Sequence, residues 1–284
     1  MERNSLPRIY GLIGYPVSHS LSPQMHNAAF RTLKINAEYK LFALKPQELE
    51  KFLKTAALNN LFGLNVTIPY KETVIPFLDF VAPEAKLIKA VNTIKVNQDK
   101  LEGFNTDGKG FLRHLIEDLK FIPRDKIIAI IGAGGAARAI SVYLGKEKPK
   151  SIAIYDIDKS KTTALINHLK NNFKDIDFKM APSVKELDIL SCNLLINATP
   201  VGMKENDPEL VDRNLIHRGL LVYDVIYNPC ETKFLKLARE KGAHTSNGLG
   251  MLLYQGVDAL ELWLNPIKAP VEIMRRALTE EAYK

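Results

Sequence analysis

Lys71 and Asp107 are the residues of this chain best suited to move a proton. The lysine closes Asn65-Val66-Thr67-Ile68-Pro69-Tyr70-Lys71, and the aspartate stands in Gly103-Phe104-Asn105-Thr106-Asp107-Gly108-Lys109. Asn65, Thr67 and Asn92, the last in Ala90-Val91-Asn92-Thr93, add amides and a hydroxyl. One ammonium, one carboxylate and several neutral polar groups suit a small substrate rich in hydroxyls. Reduction of its carbonyl needs a proton donor held beside the reacting oxygen. The set does not suit a metal, because no His/Cys cluster accompanies it. It also lacks the nucleophile–base pair of a hydrolase. Near the start, Ser18-His19-Ser20 follows Gly14-Tyr15-Pro16 at the mouth of a strand. Alternate spacing in an extended loop turns both hydroxyls to one side, where they could hold a carboxylate or polyol. The plainer alternative makes Ser20 or Ser22 a helix cap. His19 points the other way and reads as a surface residue, and His26 reads as structural.

A second chemistry begins where Ile127-Ile128-Ala129-Ile130-Ile131 runs into Gly132-Ala133-Gly134-Gly135-Ala136-Ala137. This is G-x-G-x-x-A between a buried strand and a helix. Gly132 serves the tight turn, Gly134 the close approach of a pyrophosphate, and Ala137 the packing of helix on strand. The free N–H groups of the helix start would face the phosphates. Asp156 ends the next strand, where a carboxylate bonds ribose hydroxyls and repels a 2′-phosphate. Ile157 adds nothing polar, while Lys159 and Lys161 could partly neutralise a phosphate. The cofactor is therefore NADP or NAD, with a lean to NAD. The plainer alternative leaves Asp156 as a cap for the following helix.

Positioning these groups requires an α/β chain. Strands are expected at Arg8–Ile13, Glu38–Ala43 and Leu61–Val66, with helices from Ser22-Pro23 to about Leu33 and from Pro46 to Leu58. The N-cap and first-turn proline of the first helix are read at Ser22 and Pro23. Residues 93–96 and 101–104 read as a hairpin across Asn97-Gln98-Asp99-Lys100. A helix from Gly110 to Lys120 leads into a second, more apolar series: Ile127–Ile131, Ser151–Asp156, Asp177–Met180, Asn193–Asn197 and Leu220–Val225. The alternation points to βαβ units around mostly parallel sheets. Gly248 to Lys284 reads as helical. The expected fold has two α/β domains, a substrate-binding catalytic domain at 1–106 rejoined by 247–284, and a Rossmann NAD(P)-binding domain at 107–246.

Composition narrows the field. With 284 residues, 46% hydrophobic and 25% charged, the chain is an ordinary globular protein. No apolar run approaches the roughly 20 residues of a membrane helix. Met1-Glu2-Arg3-Asn4-Ser5 has no apolar stretch behind its charges, so no signal peptide is expected. The two cysteines, Cys192 and Cys230, form no disulfide framework, which favours the cytoplasm. The net charge of +7 invites a nucleic-acid reading, but the lysines are scattered and no aromatic–basic platform accompanies them. Anionic small ligands account for part of the excess. The expected partners are a small-molecule substrate, no nucleic acid and no membrane, and nothing in the sequence excludes a homodimer.

Taken together the blocks resemble the shikimate dehydrogenase family. Gly14-Tyr15-Pro16-Val17-Ser18-His19-Ser20-Leu21-Ser22-Pro23, the Asn65–Lys71 block, Ala90–Thr93 and Gly103–Gly108 match its motifs in order. So do Gly132–Arg138, Asn197-Ala198-Thr199-Pro200-Val201-Gly202-Met203, Asp224-Val225-Ile226-Tyr227-Asn228-Pro229 and Gly248–Gly256. The resemblance implies reversible, nicotinamide-dependent reduction of 3-dehydroshikimate to shikimate on the chorismate route to aromatic amino acids. It makes Lys71 and Asp107 the catalytic pair, with Ser18, Ser20, Asn65, Thr67, Asn92, Tyr227 and Gln255 as substrate ligands. It places the cofactor on Gly132, Ala133, Gly134, Gly135, Ala136, Asp156, Lys161, Val225 and Gly248, with a cleft between the domains. A lysine, ordinarily charged at neutral pH, can stabilise and protonate the nascent alkoxide. A neighbouring carboxylate favours that charged form, and oxidation, which needs the neutral amine, should improve at alkaline pH.

One stretch departs from the pattern. Many members carry Asn-Arg-Thr where this chain reads Tyr155-Asp156-Ile157-Asp158-Lys159, which puts NADP preference in doubt. NAD-using relatives also oxidise quinate, but Ser20 keeps the second serine of the shikimate pattern. A non-catalytic dinucleotide sensor would not need Lys71 with Asp107. A dehydrogenase for amino acids or folates would not need Ser18, Ser20, Tyr227 and Gln255 together.

Overall fold

A computed structural model describes residues 6–284; the reading of Met1–Ser5 lies outside the described residues. The chain forms two compact units, one of Met1–Gly110 with Leu252–Lys284 and the other of Phe111–Met251.

The first unit is built from β1 (Arg8–Gly14), α1 (Ser22–Thr32), β2 (Ala37–Ala43), α2 (Leu49–Lys54), β3 (Leu61–Val66), β4 (Phe80–Val81), α3 (Pro83–Ile88), β5 (Thr93–Asn97) and β6 (Lys100–Phe104). Its sheet runs β2-β1-β3-β5-β6-β4. β1 lies parallel to β2 and β3, whereas β5 is antiparallel to both β3 and β6. With β4 parallel to β6, three of the five pairs are parallel and the sheet is mixed. The turn after Asn97 is far too short for a crossover, so β6 has to come back antiparallel. Buried Ile13, Leu64, Val66, Val91 and Ile94 form the core of one face.

α4 (Asp107–Arg113) begins at the aspartate itself and passes into a π-turn at His114–Asp118, in place of a uniform helix over 110–120. The second unit follows with β7 (Ile127–Ile131), α5 (Gly135–Lys146), β8 (Ser151–Tyr155), α6 (Lys159–Asn172), β9 (Asp177–Met180), β10 (Leu194–Asn197), β11 (Leu221–Asp224), α7 (Lys233–Glu240) and β12 (His244–Ser246). Its sheet runs β12-β11-β10-β7-β8-β9 with all neighbouring pairs parallel. Ile128, Ala129 and Ile130 are wholly buried in the central strand, as expected where helices cover both faces of a parallel sheet.

α8 (Leu249–Leu264) and α9 (Val271–Ala282) close the chain. The later turns of α8 pack on the first sheet, where the Trp263 indole N–H donates to the Ile94 carbonyl at 3.0 Å. That approach needs glycine beneath it, since a Cβ on Gly63 would lie 2.5 Å from Trp263 Nε1. α9 packs along α1. The N-cap of α1 is Leu21 rather than Ser22, which is the first helical residue. Ser20 Oγ accepts the Ser22 N–H at 3.3 Å, so part of the capping comes from one position earlier. No described helix is long and apolar enough to cross a membrane.

Candidate active site

The loop after β3 carries Lys71 and is tied to the sheet by the Val91 N–H, which donates to the Lys71 carbonyl at 2.7 Å. Asp107 heads α4 and is set there by its N–H on Asn105 Oδ1, at 3.1 Å. The two side chains meet: Lys71 Nζ donates to Asp107 Oδ2 at 2.6 Å. They are 21% and 10% exposed, respectively, so the pair is sheltered but reachable. Asn92 Nδ2 donates to the other carboxylate oxygen, Asp107 Oδ1, at 2.8 Å. The same amide reaches Thr106 Oγ1 at 3.0 Å and Gln255 Oε1 at 3.4 Å. Each carboxylate oxygen is therefore held by one donor, and the ammonium keeps further N–H bonds for a bound oxygen.

Gln255 arrives from α8, and its Nε2 donates to the Leu252 carbonyl at 2.9 Å. Gly110 is what lets α4 and α8 come this close, because a Cβ there would lie 2.4 Å from the Gln255 nitrogen. Asn65, at the end of β3, is buried with Asn92, whereas Thr67 is half-buried just beyond it. Ser18 and His19 are exposed and Ser20 is half-buried in the loop after β1. His26 is fully buried and stacks on Tyr39 with centroids 4.4 Å apart. Tyr227 lies in the second unit, in the loop after β11, and burial pushes its hydroxyl pKa up, keeping it a proton donor at neutral pH. Tyr39, Thr93 and Thr106, all hydrogen-bonded into this polar set, were not singled out by spacing or residue type alone.

In the second unit, Gly132 has φ +111° and a Cβ on it would lie 2.8 Å from the Ala198 carbonyl oxygen. Only glycine suits both demands. Gly134 and Gly135, by contrast, have nothing within 4 Å of a Cβ position. Bare backbone facing open space at the start of α5 is what a pyrophosphate requires, so these residues fit a dinucleotide. Ala133 is buried, and Ala136 is half-buried within α5. Asp156 stands just past β8 and accepts the Ala133 N–H at 2.7 Å and the Asp158 N–H at 2.8 Å. It braces the glycine turn from below. The cap of α6 is Asp158, not Asp156: its side chain accepts the Ser160 and Lys161 N–H groups. Lys161 Nζ lies 3.6 Å from Asp158 Oδ2. Ile157 between the two carboxylates is 90% exposed. Val225 and Gly248 are in contact, since a Cβ on Gly248 would lie 2.0 Å from the Val225 carbonyl oxygen. That accounts for the glycine without any ligand.

The order of the all-parallel sheet, reversing direction between β7 and β10, together with the glycine turn, defines a Rossmann-type dinucleotide-binding unit. Comparison with known proteins carries this further. Residues 12–94 match the shikimate dehydrogenase substrate binding domain model and residues 248–279 the shikimate 5′-dehydrogenase C-terminal domain model. The chain is 45% identical to a shikimate dehydrogenase (NADP(+)) of Methanopyrus kandleri, over 96% of this chain and 95% of that one. A crystal structure of a shikimate dehydrogenase in complex with NADP+ superposes with TM-score 0.91 at 38% identity, covering 98% of this chain and 96% of that chain. A shikimate 5-dehydrogenase from Listeria monocytogenes in complex with shikimate and NAD gives TM-score 0.87 at 33% identity, covering 98% and 99%. The chain belongs to the shikimate dehydrogenase family.

Proposed function

We propose that this protein is a shikimate dehydrogenase, an oxidoreductase that interconverts 3-dehydroshikimate and shikimate with NADP(H) in the biosynthesis of aromatic amino acids. The observation that carries the reading is the 2.6 Å contact between Lys71 and Asp107. A bound nicotinamide would give hydride to the carbonyl carbon, or take it back in the reverse direction. Lys71 would stabilise the oxygen that gains charge and hand it a proton. Asp107 would orient the ammonium and accept a substrate hydroxyl, while Asn92 and Gln255 would fix that hydroxyl's position. Ser18, Ser20, Asn65, Thr67 and Tyr227 would bind the remainder of the substrate, its carboxylate included. In this reading residues 1–106 with 247–284 serve the substrate, and 107–246 serve the cofactor through Gly132–Ala136, Asp156, Lys161, Val225 and Gly248. We place the protein in the cytoplasm, a compartment that keeps thiols such as Cys192 and Cys230 reduced.

A second cofactor reading is favoured by one feature. Asp156 and Asp158 put two carboxylates beside the ribose position, and Ile157 offers no cation for a 2′-phosphate. This corner suits NAD better than NADP. The decisive experiment is oxidation of shikimate by the purified protein with NADP and NAD in parallel, and quinate as the competing substrate. Turnover of shikimate is the expected outcome, and turnover of quinate alone, or of neither, overturns the reading.

A further inference from the structure

Asn92 is the hub of the polar site, and its amide can help only in one orientation. With Nδ2 toward Asp107 it donates to the carboxylate; reversed, it would set a carbonyl oxygen against a carboxylate oxygen. Three donors aim at Asn92 Oδ1 and hold it the right way round. Two come from Thr106, its backbone N–H at 2.7 Å and, more distantly, its hydroxyl at 3.2 Å. The third is the Thr93 hydroxyl at 2.9 Å.

Thr93 is itself part of a longer chain. It is wholly buried, and its Oγ1 accepts Asn65 Nδ2 at 3.2 Å. The second Asn65 amide hydrogen goes to the Asn92 carbonyl at 3.3 Å. Asn65 Oδ1 accepts the Tyr39 hydroxyl at 2.8 Å. Donors and acceptors run in one sense: Tyr39 to Asn65, Asn65 to Thr93, Thr93 to Asn92, and Asn92 to Asp107. Tyr39, at the far end, is gripped on every side. The Asn27 amide takes its backbone N–H at 2.8 Å and donates to its carbonyl at 3.1 Å. His26 stacks on its ring with an interplanar angle of 5°. His26 has no hydrogen-bond partner on either ring nitrogen among the described residues, and burial drives its pKa down to about 3. It is a neutral packing surface, and its service is to hold the tyrosine ring.

We propose that Tyr39 and Thr93 are positioning residues of the active site: through Asn65 and Asn92 their hydroxyls hold the Asp107 carboxylate, and with it Lys71, in working register. Neither residue touches Asp107 or Lys71 in a hydrogen bond; both act through the two asparagines. The proposal rests on the reading of Lys71 and Asp107 as the acid–base pair. Its reason is geometric. A small tilt of an acid–base group costs far more in rate than in stability, because a misplacement of about 1 Å can cost roughly a hundredfold.

The test compares Thr93→Val, which keeps the shape and loses the hydroxyl, with Thr93→Ser, which keeps the hydroxyl and loses a buried methyl. Thr93→Val is expected to lower kcat/KM for shikimate roughly 10- to 100-fold, with NADP affinity unchanged. Thr93→Ser is expected to keep kcat/KM within about threefold of wild type, since its hydrogen bond survives, while melting earlier than wild type. Activity then follows the hydroxyl and not the melting temperature. Tyr39→Phe, which retains the stack on His26, should lose roughly tenfold in kcat/KM. The proposal is overturned if activity falls in step with melting temperature across the three variants, or if Thr93→Val works like wild type. Exchange of the Asn92 side-chain amide hydrogens, followed by NMR without substrate, gives an independent reading: slow in wild type and Thr93→Ser, fast in Thr93→Val. Equal exchange in all three overturns the relay. If the wild-type protein turns over neither shikimate nor quinate, the functional reading falls, while the exchange experiment still decides the relay.

Discussion

Truncating Lys71 to alanine tests the acid–base pair most directly. The contact it removes is a 2.6 Å charge-assisted hydrogen bond between side chains only 21% and 10% exposed. In the proposed role Lys71 neutralises and protonates the alkoxide, and positioned acid–base help is worth roughly 10²–10⁴-fold. At about 1.4 kcal/mol per decade, that corresponds to about 3–5.5 kcal/mol of transition-state stabilisation. The fold should lose less. Asp107 keeps its bond from Asn92 and some access to water, so the stranded carboxylate should cost about 1–2 kcal/mol. The assay is steady-state shikimate oxidation followed by absorbance of the reduced nicotinamide, with cofactor affinity measured separately. Asp107→Ala and the double variant complete a cycle. If the two residues act as one unit, their losses are strongly non-additive, and the double variant should be about as slow as the worse single. A kcat for Lys71→Ala within about tenfold of wild type would refute the role, since even the weakest acid–base help is worth about a hundredfold. So would a double variant that loses the product of the two single effects.

Four further outcomes follow from the second unit. Gly132→Ala should destabilise the protein by about 1–3 kcal/mol, read by urea unfolding, because φ is +111° and the new Cβ meets the Ala198 carbonyl at 2.8 Å. Gly134→Ala, with nothing within 4 Å of its Cβ, should fold like wild type and weaken dinucleotide binding measured by calorimetry; normal binding would remove the phosphates from that backbone. Burial raises the Asp224 carboxyl to about 6, against hydrogen bonds from Thr232, Ile226 and Asn197 that pull it down. The folded chain therefore holds this proton at a pH where the unfolded chain has released it, so its contribution to stability is present below about pH 4 and fades as pH rises toward 6, by about 3 kcal/mol. Asp224→Asn should lack that slope when urea midpoints are compared from pH 4 to pH 7; parallel curves would contradict it. Ile157→Arg should move the NADP/NAD ratio of kcat/KM upward by about tenfold or more, as a guanidinium gains a 2′-phosphate contact, and an unchanged ratio would mean that this corner does not read the ribose.

Legibility followed the physics of each element. Ile127–Ile131 and Leu61–Val66 stand where the apolar runs put them, because a strand buried on both faces carries a continuous hydrophobic signal. The short pieces α3, α7, β4 and β12 gave no such signal; β4 is two residues long. The cap of the helix at Ser22-Pro23 lies one residue earlier than the sequence pattern implies, since Leu21 supplies the N-cap backbone and Ser20 the oxygen. The hairpin expected across Asn97–Lys100 is present as the antiparallel pair β5–β6, while the antiparallel pairing of β5 with β3 joins strands too distant in sequence for any local pattern to show. The lesson is local: turn length constrains direction more tightly than composition does.

The polar site shows a different divide. Lys71, Asp107 and Asn92 stand out because an ion-pairing lysine, an aspartate and an amide lie in short, distinctive blocks. Asp156 stands out as a candidate ribose ligand, and the plainer alternative, a cap for α6, belongs to its neighbour: Asp158 caps α6 while Asp156 accepts the Ala133 N–H. A tyrosine in Ala37–Ala43 or a threonine opening Thr93–Asn97 looks like ordinary strand material. What distinguishes Tyr39 and Thr93 is that a buried hydroxyl must find a partner, and which partner it finds depends on pairing between strands distant in sequence. Asn65 and Thr93 are register partners across β3 and β5. A slip of one residue in either strand would turn one of these side chains to the opposite face of the sheet from the other and dissolve the chain of hydrogen bonds to Asp107. The strand register of the first sheet is therefore part of the chemistry, and that information lies in no single motif.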